Sequence, residues 1–169
     1  MYIQRFISFV NKLCTILVHY KIQQIKTNIK LHNITQNNKM FTIEQIHEAF
    51  GKVKSGADFP QFVHDLKVIG VTHYDNYVAD GRTVYYGTNN FTINGEPKYP
   101  TITINANSSG DKLKHSISIH QQGQTDYPTF CNQAADAGVE KWTTHMLEMT
   151  VTYLDKDGKK LTVEPIQQP

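Results

Sequence analysis

Cysteine and tryptophan are scarce in this chain of 169 residues, which has two of the former and one of the latter. Cys14 and Cys131 lie in unlike stretches, so no disulfide framework can be drawn, and a reducing, cytoplasmic setting is expected. The first 39 residues lack Gly, Ala, Asp, Glu and Pro altogether and are crowded with Ile, Asn, Lys and Gln. That vocabulary is the one AT-rich codons produce, and residues 1–39 are read as a disordered or spurious extension ahead of Met40. The run "FISFVNKLCTILV" within it is interrupted by Asn11 and Lys12 and falls short of the roughly 20 apolar residues that cross a bilayer. No membrane association is expected unless those first residues belong to the native protein.

Acidic residues are missing from that same end. Residues 1–39 carry six basic side chains and no acid, a contribution of +6, so the remainder holds 17 − 6 = 11 basic against 15 acidic residues, or −4. The formal net charge of +2 therefore joins two unlike pieces. A mildly acidic domain lacks the basic footprint of a nucleic-acid binder, and no nucleic-acid partner is expected. No phosphate-binding glycine loop, nucleophile elbow, zinc spacing or calcium loop occurs, so no catalytic residue, metal site or cofactor is assigned.

What is present is a repeat. "DFPQFVHDLKVIGVTHY" begins at Asp58, and "DYPTFCNQAADAGVEKW" begins 68 positions later at Asp126. In each copy an aspartate precedes a proline in the first helical turn, with Gln61 placed to complete a capping box in the first copy. An apolar stripe follows at helical spacing: Phe59, Phe62, Val63, Leu66 and Ile69, then Tyr127, Phe130, Cys131, Ala134 and Ala137. Gly70 or Gly138 ends the helix in the left-handed conformation, and Val71 or Val139 leads into a strand.

Hairpins are signalled at Asp80-Gly81 and at "DKDG" from Asp155. Leu147, Met149, Val151 and Tyr153 are expected inward on one strand, and residues 100–104, "PTITI", are expected to form another. A helix opened by Thr42 and Gln45, with Ile43, Ile46, Phe50 and Val53 inward, precedes the first copy, and "SGDKLKHSISIHQQG" supplies its counterpart. The fold class is α+β: two similar helix-helix-hairpin halves, with helices on one face of a mainly antiparallel sheet. Residues 40–169 form one domain by internal duplication, divided at about 40–105 and 106–169.

Tyrosine is the unusual local feature. Tyr74, Tyr77, Tyr85 and Tyr86 fall on the first hairpin, and because Tyr85 and Tyr86 are adjacent on a strand, one of them faces away from the helices. Tyr74, Tyr77, Tyr85, His73 and His120 are the candidate ligand- or partner-binding residues. Cys131 matches Val63 in the repeat and is read as a small core hydrophobe. The histidines after residue 39 show no convergent spacing for a metal.

The stretches "MFTIEQIHEAFGKVKSGADFPQFV", "DLKVIGVTHYDNYVADGRTVYYG", "KYPTITI", "HQQGQTDYPTFCNQAADAGVEKW" and "MTVTYLDKDGKKLTVEPI" resemble the bacterial YbcV-like family. These are uncharacterised, prophage-associated proteins sometimes labelled phage envelope protein. The resemblance covers residues 40–169 and brings no catalytic or binding residue with it. It implies an accessory protein of prophage origin, read here first as a non-enzymatic module that binds a protein partner. A small-molecule binding protein or enzyme, with a cleft between the halves where His73, Tyr85, His120 or Asp126 meet, is the second reading. A phage structural component is the third.

Overall fold

The computed structural model describes residues 21–27 and 40–168, which fall in two compact units, Met1–Asn38 and Lys39–Pro169. In the first unit residues 21–27 are helical with exposed side chains. The expectations for residues 1–20 and 28–39, including the apolar run, lie outside the described residues. Among those described, no helix is long and apolar enough to cross a membrane.

The second unit runs α1 (Ile43–Phe50), a 3-10 turn (Gly56–Asp58), α2 (Phe59–Ile69), β1 (His73–Tyr77), β2 (Thr83–Tyr86) and β3 (Thr92–Asn94). It continues with α3 (Gly110–Gln121), α4 (Tyr127–Asp136), β4 (Lys141–His145), β5 (Thr150–Leu154) and β6 (Lys160–Pro165). The strands form one sheet in the order β3-β2-β1-β4-β5-β6, and every neighbouring pair is antiparallel. The α+β reading is therefore correct.

Local chemistry accounts for the helix ends. Thr42 and Gln45 exchange hydrogen bonds in a full capping box at the start of α1, which satisfies two backbone donors at once. Asp126 caps α4 by accepting from the Thr129 amide at 2.8 Å. At the far ends Gly70 (φ 107) and Gly138 (φ 79) turn left-handed. The following amides, of Val71 and Val139, donate back to the Leu66 and Ala134 carbonyls at 3.0 Å each. Phe62, Val63, Leu66, Phe130, Cys131 and Ala134 are buried as the stripes require, and each large apolar side chain so buried contributes roughly 1.5–3 kcal/mol.

The halves meet at β1 and β4. Tyr74 lies across from Thr144, Asn76 across from Trp142, and Asp75 across from Thr143 at the centre. Because Tyr74 and Trp142, and likewise Asn76 and Thr144, are 68 positions apart, the register is symmetric about the Asp75–Thr143 pair. Directly paired residues share a face. One face carries Tyr74, Asn76, Thr83, Tyr85, Trp142, Thr144, Val151 and Tyr153, and the helices cover it, with Phe62 against Tyr74 and Phe130 against Trp142. The other face carries His73, Asp75, Tyr77, Tyr86, Lys141, Thr143 and His145.

Several local expectations need correction. Asp58 does not cap α2; its carboxylate accepts from the Lys54 and Ser55 amides at 2.9 Å, because it closes the 3-10 turn. Gln61 donates instead to Asp65. Residues 100–104 join no ladder: Pro100 has no amide proton, and the Ile102 amide is bound to the Ala79 carbonyl beside the first hairpin turn. The third strand of that half is β3, which sequence reading missed. Leu147 is 83% exposed, because residues 146–149 make the turn between β4 and β5 and Met149 (φ 50) breaks the alternation. Phe50, expected inward, is 60% exposed at the end of α1. Thr152, which alternates with the inward Val151 and Tyr153 on β5, is buried as well.

Candidate ligand cavity

The side chains of β1, β2 and β4 that face the helices are large aromatics alternating with small polar residues, and such a surface does not fill the space beneath two helices that end over it. A cavity of about 760 Å³ remains there, inside the roughly 300–1,000 Å³ range of small-molecule sites. Its walls include Phe59 and Phe62 of α2, Tyr127 and Cys131 of α4, and Tyr74, Tyr85 and Trp142 of the sheet. Residues 98–102 form a further part of its lining. They are held there by the Lys98 and Tyr99 amides on the Asp80 carbonyl, and by the Tyr99 hydroxyl, which donates to the Val78 carbonyl at 2.8 Å.

The rings are in mutual contact. Tyr74 meets Tyr85 at 5.5 Å between centroids, and Trp142 is met edge-on by Tyr127 at 6.5 Å. Burial pushes the phenols of Tyr74 and Tyr85 above the ordinary phenol range, so both are neutral donors at neutral pH. Cys131 is 1% exposed. Burial also raises its thiol, against the opposing hydrogen bonds of Tyr99 and Tyr127 and the charge of Lys98, which keeps it protonated and a poor nucleophile.

Polar chemistry gathers at one spot of this apolar wall. Lys98 Nζ donates to Thr83 Oγ1 at 3.1 Å, and Thr83 Oγ1 donates to Asn76 Oδ1 at 2.9 Å. Asn76 is 4% exposed, and its Nδ2 has no partner. A buried amide donor left unpaired costs about 1–3 kcal/mol, so an acceptor brought into the cavity beside Asn76 recovers that energy.

The residues singled out from sequence divide between the two faces. Tyr74 and Tyr85 line the cavity. His73 and Tyr77 lie on the opposite face, where His73 stacks on Tyr86 at 4.3 Å and on His145 at 5.6 Å. Desolvation lowers the His73 pKa, with the Asp75 charge opposing. His120 ends α3, stacks on Phe130 at 4.6 Å and meets the Thr125 carbonyl through Nδ1 at 3.0 Å; it is not a lining residue. Asp126 is spent on the α4 cap. The meeting of His73, Tyr85, His120 and Asp126 imagined for a cleft therefore does not occur. Sequence reading missed Asn76, Thr83 and Lys98. Asn76 carried a usable signal, since it stands two residues beyond Tyr74 on a strand and so shares its face. Among the described residues no group of three or more His, Cys, Asp or Glu is placed to hold a metal ion.

A family described as protein of unknown function (DUF1398) matches residues 47–165, a span that holds both helix pairs and the whole sheet apart from the first residues of α1. The chain is also similar to the uncharacterized protein YcgX of Escherichia coli (strain K12), with 23% identity over 120 residues covering 70% of this chain and 88% of that one.

Proposed function

The chain belongs to the DUF1398 family, and on that premise we propose that it is a small-molecule binding protein whose ligand occupies the cavity between the sheet and helices α1, α2 and α4. The observation that carries this reading is the cleft itself: about 760 Å³, walled by aromatic side chains, open to solvent on one side and holding one unpartnered amide donor. Apolar walls supply affinity, and the few polar groups orient the ligand. An interaction module presenting Tyr74 and Tyr85 to a protein partner is less well supported, because both side chains point beneath the helices and are under 10% exposed.

Two further parts of the proposal come from the sequence. The halves are read as copies of one unit, supported by the offset of 68 positions and by the symmetric β1–β4 register. In that reading the cavity is the gap left where two copies close on each other. The YbcV-like resemblance implies a prophage setting, in which such a binding protein would serve as an accessory.

Trp142 is the sole tryptophan and stands in the cavity wall, so its emission reports occupancy directly. Titration with the neutral apolar fluorophore N-phenyl-1-naphthylamine is expected to quench Trp142 saturably with one site per chain. Asn132 is exposed and lines the opening; Asn132→Phe is expected to weaken that binding by about tenfold, a loss of about 1.4 kcal/mol. A non-saturating response in the wild-type chain sinks the proposal.

A further inference from the structure

We propose that the ligand is an apolar carboxylic acid, seated with its carboxylate at Lys98 and Asn76 and its hydrocarbon body among the aromatic rings. The inference rests on the small-molecule reading above and supplies the chemical class that reading leaves open.

Charge carries the first step. Lys98 reaches into the cavity, yet none of the residues lining it is acidic, and among the described residues no carboxylate lies within ion-pair distance of its ammonium. An ammonium carries three donors, and here one is used, on Thr83. Lys98 is an exposed residue whose ammonium is held part-buried against Thr83 at the cavity wall, so an anionic group entering there meets a cation that no carboxylate already occupies. Partial desolvation beside the cavity wall lowers the Lys98 pKa.

Hydrogen-bond direction carries the second step. Lys98 can only donate to the Thr83 hydroxyl, so the hydroxyl proton goes onward to Asn76, which presents Oδ1 to Thr83 and leaves Nδ2 free. Two donors, one charged and one neutral, thus stand side by side, joined through one hydroxyl. A carboxylate has two acceptor oxygens and one charge, which matches that pair in number and in sign. The remaining wall excludes the alternatives. A sugar would leave its hydroxyls unpaired against aromatic rings, and a phosphate dianion would meet one cation where it needs more.

Calorimetric titration of the full chain tests this with two acids and their neutral counterparts: dodecanoate against dodecan-1-ol, and 2-naphthoate against 2-naphthylmethanol. One acid or the other is expected to bind about tenfold or more tighter than its alcohol, the strength of one added charge-assisted hydrogen bond. The favoured pair tells an aliphatic ligand from an aromatic one. Lys98→Met is expected to erase the preference while keeping affinity for the alcohol, and Lys98→Arg to retain it. Equal binding of acid and alcohol by the wild-type chain overturns this inference and leaves the cavity reading standing. A preference that survives Lys98→Met overturns the assignment to Lys98. If no probe binds at all, the small-molecule reading falls with it. The wild-type comparison needs no variant to fold.

Discussion

Asp75 sits on the face turned away from the cavity and is 5% exposed, yet three donors reach its carboxylate: Lys141 Nζ at 2.6 Å, Thr143 Oγ1 at 2.6 Å and the Tyr86 hydroxyl at 3.4 Å. Desolvation works against the Lys141 charge, but the hydrogen bond and attraction of Asp75 outweigh it and raise the Lys141 pKa. Removing the carboxylate strands a buried hydroxyl and a cation still partly in solvent, with 29% of the Lys141 side chain exposed. Asp75→Ala is therefore expected to cost about 2–4 kcal/mol, toward the low end for breaking a buried pair. Urea unfolding measures it, and a loss below about 1 kcal/mol would show that the cluster contributes little. At this scale sequence reading went part of the way. That one of Tyr85 and Tyr86 must face away follows from strand geometry, and Tyr86 is the one, stacked on His73. Period two also separates Tyr74 from Tyr77 on β1, but the face of Tyr85 depends on the β1–β2 register, and the sequence reading grouped all three as binding candidates. What filled the space opposite them did not, because Lys98 reaches the site from a segment with no periodicity of its own.

Among the elements, the first hairpin turn shows how tightly Tyr99 of the cavity wall is fitted. Gly81 has φ 72, and a Cβ there would stand 2.5 Å from Tyr99 Cε1. Gly123 has the same φ of 72 with nothing within 4 Å of its Cβ position. The two glycines thus separate backbone strain from collision: Gly123→Ala carries the left-handed penalty alone, and Gly81→Ala adds the displacement of Tyr99. We expect thermal unfolding to show a loss of about 1 kcal/mol for Gly123→Ala and about 2–4 kcal/mol for Gly81→Ala. Gly81→Ala should also weaken probe binding, since Tyr99 is part of the cavity wall. Equal losses for the two would mean that Tyr99 gives way freely. Elements with strong local signals, namely the capping box of α1, the glycine stops of α2 and α4 and both hairpin turns, were legible because short-range chemistry decides them. Residues 100–104 misled for the opposite reason. Alternating Thr and Ile spells a strand in isolation, but the segment's hydrogen bonds go to the turn at Ala79 and Asp80. Likewise Leu147 looked like part of a strand until the turn at residues 146–149 took it out of the sheet.

For the molecule as a whole, the two helix-helix-hairpin runs and the mainly antiparallel sheet could be read ahead of the structure, whereas β3 was missed and residues 100–104 were taken for a strand. The cavity could not be read ahead, since it depends on distances between elements that no local pattern encodes. Its position has a consequence for how the protein holds together. The halves share a single strand pairing, β1 with β4, and the cavity floor includes Tyr74 and Asn76 from one side of it and Trp142 from the other. A bound acid resting there grips both strands, so it behaves as a rivet driven across the midline. Amide hydrogen exchange of the full chain with and without dodecanoate is expected to slow at residues 74–76 and 142–144 together, and slowing confined to one strand would place the grip within one half. Carried further, occupancy becomes a safeguard against dissection: in a molecule nicked between β3 and α3, cargo adds a brace to the β1–β4 pairing and the shared core that still join the pieces.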